Sequence, residues 1–152
     1  MLKFGFDNET KVKVAGAAFF KKYLDRLYEV MRKDIDRKLF KRDGQVDLVL
    51  VGDRKIRAMN KEFRKKDKAT DVISFAYLEV TDYEREPGDI IVGDIFISVD
   101  TAKRQAVEKG HDLKKEMAIL FVHGLLHCMG FDHNTDEEEV EMEGWAEKVL
   151  KA

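Results

Sequence analysis

The sequence predicts an α+β fold: a small mixed sheet of about four strands packed by helices, with a metal-binding helix in the C-terminal half. Three observations lead to this prediction. Short β-branched and aromatic segments occur in the first two thirds of the chain, helical apolar spacing follows from residue 100 onward, and three histidines cluster at 123–133. A length of 152 residues fits one domain, so residues 1–152 are expected to fold as a single unit.

Apolar, β-branched and aromatic residues bounded by turn residues indicate four strands. The predicted strands cover residues 2–6, 46–51, 71–78 and 90–98. In the last strand, Gly93 and Asp94 indicate a bulge or a close approach by another backbone or a ligand. The polar stretch at 81–89 contains the single proline and is expected to form an exposed connection between two strands.

Two amphipathic helices are predicted in the N-terminal half. Apolar residues recur at three- and four-residue steps from Phe19 to Ile35, which indicates one long helix. The same spacing at Ile56, Met59 and Phe63 indicates a shorter helix after the second strand. Both apolar stripes are expected to face the core.

Three further helices are predicted from their end signals. Asp100 can cap a helix that ends at Gly110, and Asp112 can cap the next helix, which runs into the histidines. Thr135 and Glu138 have the spacing of a capping box, so a final helix is expected after them.

The motif HGLLHCMGFDH at 123–133 predicts a metal site. His123 and His127 are four residues apart, so on a helix their imidazoles lie one above the other. Gly130 can adopt a positive φ and end the helix, which allows His133 to return toward the same point. Three nitrogen ligands with an open fourth position are typical of catalytic zinc sites. The fourth histidine of the chain, His111, is interpreted as a surface loop residue.

Gly124 distinguishes this motif from the metalloprotease signature, which has the same histidine spacing. Proteases carry a glutamate after the first histidine, and that glutamate is the general base for peptide attack. The chain has glycine there, so the metal site is expected without the protease mechanism.

Acidic residues at 136–143 could form a second metal site, but acids in a first helical turn are favoured by the helix dipole alone.

Charge is distributed unevenly along the chain. Residues 1–76 contain 20 Lys and Arg against 12 Asp and Glu, whereas residues 77–152 contain 8 against 18. The densest basic segment, residues 54–68, could contact phosphates or could form a solvated helix face.

Composition indicates a cytoplasmic protein without membrane contact. No apolar segment reaches the length of a membrane span, and the N-terminus lacks the apolar run of a secretory signal. The single cysteine, Cys128, excludes an internal disulfide and is interpreted as a small buried hydrophobic residue.

Three segments in the same order resemble the YbeY family of bacterial ribosomal RNA maturation factors. They are HGLLHCMGFDH, MNKEFRKKDKATDVISF at 59–75 and GDIFIS at 93–98. The resemblance implies a metalloprotein with one zinc ion per chain that acts as a single-strand-specific endoribonuclease in ribosomal RNA maturation and quality control. It implies ribosomal RNA and the small ribosomal subunit as partners. The resemblance also implies that His123, His127 and His133 are the metal ligands, and that Arg64 has a catalytic role at the substrate.

The residue chemistry is compatible with this resemblance. The planar guanidinium of Arg64 can clamp a scissile phosphate, although the residue can equally be one more solvated cation. A bound metal polarises a phosphoryl oxygen, which allows hydrolysis without a glutamate base. The attacking group, a water or the ribose hydroxyl, stays open. Neighbouring cations are candidate RNA-binding residues: Arg57, Lys61, Lys65 and Lys66.

Asp132, within the histidine motif, has more than one interpretation. Asp132 could orient a ligand imidazole or act as a weak proton carrier, or it could cap the turn after Gly130. The YbeY family commonly has tyrosine, leucine and proline where this chain has Phe131, Cys128 and Ala76, and none of these differences removes a ligand.

Two other functions are weighed against the nuclease. A ribosome-assembly factor without catalytic activity would use the metal only to stabilise the C-terminal half. A metalloprotease is disfavoured by Gly124. The sequence leaves the oligomeric state open.

Overall fold

A computed structural model of the chain describes residues 1–78 and 88–151. Within them it contains four strands and six helices, which confirms the predicted α+β class. The elements are β1 (Leu2–Asn8), α1 (Ala17–Val30), α2 (Arg32–Lys38), β2 (Gly44–Val51), α3 (Asp53–Arg64), β3 (Val72–Ala76), β4 (Ile90–Ser98), α4 (Val99–Lys109), α5 (Leu113–Cys128) and α6 (Asp136–Lys151). Most of the predicted connection at 81–89 lies outside the described residues, which resume at Gly88.

The four strands form one mixed sheet in the order β1-β2-β4-β3. β1 pairs with β2 and β2 pairs with β4 in parallel, whereas β3 pairs with β4 antiparallel and lies at the edge. No helix among the described residues is long and apolar enough to cross a membrane.

The sheet has a large core on one face and a smaller one on the other. Alternate residues of β2, such as Leu48, point into the main core, where α1, α2, α5 and α6 pack. On the other face, Ile56 of α3 packs against Val51 and Ile73. α2 and α3 therefore cover opposite faces of the sheet, and this arrangement matters for the site described below.

β4 contains the irregularity that Gly93 predicts. The register with β2 shifts so that Gln45 pairs with Ile91 and Val46 pairs with Gly93, which leaves Val92 as an extra residue. A Cβ atom on Gly93 would lie 2.4 Å from Cys128 Sγ and 2.7 Å from the backbone oxygen of Phe75. The glycine therefore allows the end of α5 to approach the sheet, and both the bulge and the close approach are confirmed.

Gly93→Ala is expected to destabilise the protein by about 2 to 3 kcal/mol, because the backbone oxygen of Phe75 cannot move away as a flexible side chain could. Gly144→Ala in α6 is the matched control, since nothing lies within 4 Å of a Cβ there. The control is expected to stabilise the helix by about 0.5 to 1 kcal/mol. Urea unfolding measures both, and equal effects would contradict the packing described at Gly93.

The predicted long helix from Phe19 to Ile35 is wrong in one respect, because it is divided into α1 and α2. Met31 adopts φ −116° and ψ 19° at the break. Its backbone N–H still donates to Leu27 O, and the N–H of Ile35 donates to Met31 O, so little hydrogen bonding is lost. No glycine or proline marks the break, and both Met31 and Ile35 are buried in the main core.

Asp100 does not cap α4 as predicted. β4 runs directly into α4, so the boundary residue Ser98 is the cap, and its hydroxyl accepts a hydrogen bond from the N–H of Thr101. Asp100 lies in the first turn and accepts from the N–H of Asp53 at the start of α3. The predicted helix end is correct, since Gly110 adopts φ 72°.

The predicted starts of the last two helices are confirmed. The Asp112 carboxylate accepts a hydrogen bond from the N–H of Lys115 at 2.8 Å. The Thr135 hydroxyl accepts from the N–H of Glu138 at 3.1 Å, and the carboxylate of Glu138 accepts from the N–H of Asn134.

Candidate metal centre

The C-terminal end of α5 positions the first two histidines of the motif. His123 and His127 lie one helical turn apart, and their Nε2 atoms are 3.0 Å from each other. Both side chains are half-buried. The opposite side of α5 carries Phe121 and Leu125, which are fully buried in the core, so the helix is fixed while its histidines face a cavity.

A glycine turn brings the third histidine to this pair. Gly130 has φ 99°, its N–H donates to His127 O, and the N–H of Phe131 donates to Leu126 O. These two hydrogen bonds form a Schellman motif, which ends α5 and reverses the chain. His133 then lies with its ring centroid 5.6 Å from that of His123 and 5.2 Å from that of His127.

One nitrogen atom of each imidazole can point to a common centre. The three candidate ligand atoms of His123, His127 and His133 lie within 4.8 Å of one another. Two nitrogen atoms on one tetrahedral zinc ion would lie about 3.3 Å apart at ordinary Zn–N distances, close to the separation in the helical pair. No other group of three or more potential ligands is found in residues 1–78 and 88–151.

A backbone carbonyl sets the orientation of His127. Its Nδ1 atom lies 3.0 Å from Phe131 O, and since a carbonyl only accepts, Nδ1 carries the proton. The lone pair of the neutral ring is therefore on Nε2, the atom that faces His123. The Gly130 turn thus has two effects: it returns His133 to the centre and places the carbonyl that orients His127.

Burial keeps the helical histidines neutral. The pKa of His123 is lowered to about 4, chiefly by burial and in addition by the charges of His127 and His133. Burial also lowers the pKa of His127, as do the charges of His133 and Arg64, while the hydrogen bond to Phe131 O opposes the change. Neutral imidazoles are the form that binds a transition metal. The donor set, its spacing and its protonation therefore fit a zinc-type ion.

The histidines line a cavity of about 920 Å³ whose rim is mainly cationic, with the carboxylates of Asp71 and Asp132 also in its lining. Arg64 and Lys66 reach it from the end of α3, with Lys68 just beyond, and Lys38 reaches it from the end of α2. None of these four cations forms an ion pair with a carboxylate in the part of the chain that the structure describes. A cavity with unneutralised cations and a three-nitrogen centre is suited to an anionic substrate.

The predicted RNA-binding residues are not all at this cavity. Lys66 lines it, whereas Arg57, Lys61 and Lys65 are not among its lining residues. Arg57 donates from Nε to the Asp67 carboxylate at 2.9 Å, which neutralises part of its charge. A role for these residues in RNA binding stays a prediction.

Asp132 has hydrogen-bond partners within its own turn. One carboxylate oxygen accepts from the N–H of His133, and the other accepts from the amide of Asn134. These bonds shape the backbone that carries the third histidine. Whether Asp132 also acts on an imidazole or a proton stays a prediction.

Several cavity residues were not predicted as site residues from the sequence, among them three charged side chains and one buried amide. Lys38 and Lys68 add cations, and the charge of Asp71 partly opposes the lowering of the His123 pKa. Asn60 is fully buried at the cavity, and its amide donates to Lys68 O at 2.9 Å, so it fixes the loop of the cationic rim. Asn60 and Asp71 both lie within the segment 59–75, and its resemblance to the family was the one signal that could have indicated them.

Gly124 packs directly on the sheet. A Cβ atom there would lie 2.9 Å from Ile95 Cγ2 and 3.0 Å from Ser74 Oγ. A side chain at the position that carries the general base in metalloproteases would therefore require Ile95 and Ser74 to shift.

His111 is not the surface residue that the sequence suggested. It lies in a loop, but its side chain is only 16% exposed, and Nε2 is 2.8 Å from the fully buried Glu116 carboxylate. Lys109 donates to the same carboxylate. A buried carboxylate requires such partners, which the loop position of His111 did not reveal. Cys128 is buried as expected, and burial raises the pKa of its thiol to about 12.

The chain is similar to known proteins in sequence and in fold. The family model described as endoribonuclease YbeY matches residues 6–152. The solution structure of a protein from Thermotoga maritima is similar with a TM-score of 0.61 and 23% identity, over 98% of this chain and 90% of that one. At that identity the structural match supports the fold alone.

Curated relatives named endoribonuclease YbeY are more similar in sequence. The protein from Heliobacterium modesticaldum is 46% identical over 72% of this chain and 69% of its own length. A Bacillus cereus protein is 38% identical over 86% of both chains, and a Desulforamulus reducens protein is 42% identical over 80% of both. The chain therefore belongs to the YbeY family of endoribonucleases, as its three sequence motifs predict.

Proposed function

We propose that the protein is a zinc-dependent endoribonuclease that cleaves single-stranded RNA in the maturation and quality control of ribosomal RNA. His123, His127 and His133 hold one zinc ion per chain, and Arg64 clamps the scissile phosphate. In this proposal the protein acts in the cytoplasm, on ribosomal RNA of the small subunit. Family membership supports the nuclease class, and the open histidine centre supports the zinc.

The single observation that supports this function best is the position of the histidine centre. It opens into the same cavity as Arg64, Lys66 and Lys68, whose charges have no carboxylate partner in the described residues. A centre used only to stabilise the fold would usually be closed by a fourth protein ligand. Here the three nitrogen atoms face a cavity large enough for a nucleotide.

Each residue has a defined task in the proposed reaction. The chain holds three imidazole nitrogen atoms in place, with His127 oriented by Phe131 O. When bound, zinc supplies a Lewis acid that polarises a phosphoryl oxygen and stabilises the charge that develops on it. The guanidinium of Arg64 donates two parallel hydrogen bonds to the nonbridging oxygens of the phosphate and holds it in line for attack. Lys66 and the more distant Arg57, Lys61 and Lys65 attract the RNA backbone.

Single-strand specificity is tested directly with purified protein and labelled RNA. One strand is supplied alone or annealed to its complement, with zinc present. We expect cleavage of the single strand and at least about tenfold slower cleavage of the duplex, because an unpaired strand can bend its phosphate into a concave site. Equal rates on both RNAs would contradict the proposed specificity, and no cleavage of either would favour a non-catalytic assembly factor.

Arg64→Met is expected to lower kcat/KM for RNA by about a hundredfold, because one charged donor to the reacting phosphate is lost. Zinc content is expected to stay at the wild-type level, since Arg64 is not a ligand. Arg54→Met is the matched control: it removes an exposed cation from the same helix, α3, at a position that does not line the cavity. If both variants lose activity equally, the phosphate-clamp role is wrong.

A further inference from the structure

Lys38 brings a positive charge to the metal centre from a different part of the fold than Arg64 does. It is the last residue of α2, and its side chain lines the histidine cavity. It also lines a smaller pocket of about 220 Å³ that continues past Met129 and Phe131 toward α6. Lys38 therefore lies where the two spaces join.

Neutral groups hold the ammonium group of Lys38. Its Nζ atom donates a hydrogen bond to Met129 O and lies 5.9 Å from the centroid of the Phe131 ring. A carbonyl and an aromatic face fix an ammonium group without cancelling its charge as a carboxylate would. Elsewhere in the chain, Lys55 and Arg104 pair with carboxylates. Lys38 thus has a fixed position and a charge that stays available to an anion.

Lys38 and Arg64 reach the cavity from opposite sides of the sheet. Ile35 anchors α2 in the main core, whereas Ile56 anchors α3 against the other face. The two cations also differ in their neighbours: Lys38 contacts the turn after α5, and Arg64 ends α3. A single phosphate at the histidine centre does not require both cations. A strand that passes through the cavity carries several phosphates, so the two cations can bind different ones.

We propose that Lys38 binds a phosphate of the RNA strand other than the one at Arg64, and so fixes the direction in which the strand leaves the metal centre. This inference rests on the proposed nuclease function. A compact ammonium group suits this task because it does not demand a particular orientation of the phosphate. Beyond Lys38, the smaller pocket is lined by Glu138 and Glu141, whose charges repel phosphates. The series of cations that lines the histidine cavity therefore ends at Lys38.

The proposal is tested with two substrates and three variants. The substrates are a labelled single-stranded oligonucleotide and a dinucleoside monophosphate, which has only the scissile phosphate. Lys38→Met removes the charge, Lys38→Arg keeps it, and Lys33→Met removes an exposed cation of the same helix that does not line the cavity. Binding of the oligonucleotide is measured by fluorescence anisotropy at several salt concentrations.

Lys38→Met is expected to lower kcat/KM for the oligonucleotide about tenfold, mainly through KM, and to reduce the salt slope of binding by about one ion. Cleavage of the dinucleoside monophosphate should not change. Lys38→Arg should recover most of the loss, and Lys33→Met should behave as the wild type.

Three results would overturn the role of Lys38. The first is that Lys38→Met binds the oligonucleotide as tightly as Lys33→Met does. The second is that kcat/KM falls equally for the oligonucleotide and the dinucleoside monophosphate. The third is a loss of zinc in Lys38→Met, which would mean that Lys38 only fixes the turn before His133. If the wild type cleaves neither substrate, the proposed nuclease function is contradicted, independently of the role of Lys38. The binding measurement then still decides whether Lys38 contacts the strand.

Discussion

His127→Ala is expected to abolish zinc binding and to lower RNA cleavage by about a thousandfold or more. His127 is the proposed ligand with the most complete support, because the carbonyl of Phe131 fixes its ring and its Nε2 atom lies 3.0 Å from that of His123. Its removal leaves two nitrogen donors, one of them on the exposed His133. Two donors do not form a stable zinc site in competition with water.

Metal content by mass spectrometry and cleavage of a labelled single strand measure this effect on the same samples. His111→Gln is the matched control, because it removes the histidine that lies outside the centre while keeping a donor for the Glu116 carboxylate. The control should retain about one zinc ion per chain and full activity. If His127→Ala loses zinc but cleaves RNA at the wild-type rate, the proposed mechanism is wrong.

Phe121→Ala is expected to destabilise the protein by about 3 to 5 kcal/mol, the largest stability effect that we predict. Phe121 is fully buried in α5, with ring centroids 5.6 Å from Phe4 of β1 and 5.4 Å from Phe20 of α1. The truncation would leave a cavity where three elements meet, and it would also remove aromatic contacts.

Urea unfolding of the zinc-free protein is the appropriate measurement, because bound metal adds its own stabilisation to the folded state. Val107→Ala serves as the control, since Val107 is 83% exposed on α4. It should change the free energy of unfolding by less than about 0.5 kcal/mol. Similar effects of the two substitutions would contradict the packing described for α5.

The histidine motif shows why a local site can be predicted from a sequence. The contacts between His123, His127 and Gly130 follow from the geometry of one helix and its end, so spacing alone predicts them. The four strands were also predicted, because the residues that form each strand are local in the chain. The break at Met31 was missed because the helical pattern continues across it.

Residues that reach the site from elsewhere could not be predicted in the same way. Lys38 lies in a helix with other cations and acids, and nothing in that pattern distinguishes it from a solvated lysine. Its position at the cavity depends on how α2 packs beside the turn after α5. The strand order likewise depends on long-range pairing, and a carboxylate buried at Glu116 determines the surroundings of His111.

The central claim, that RNA cleavage occurs at a three-histidine zinc centre, is tested most directly by adding zinc to the metal-depleted protein. Cleavage of a single-stranded RNA is measured after each addition. We predict negligible cleavage without metal, a linear rise as zinc is added, and a plateau at about one zinc ion per chain. Cleavage by the metal-depleted protein at the plateau rate, with no response to zinc, would contradict the claim.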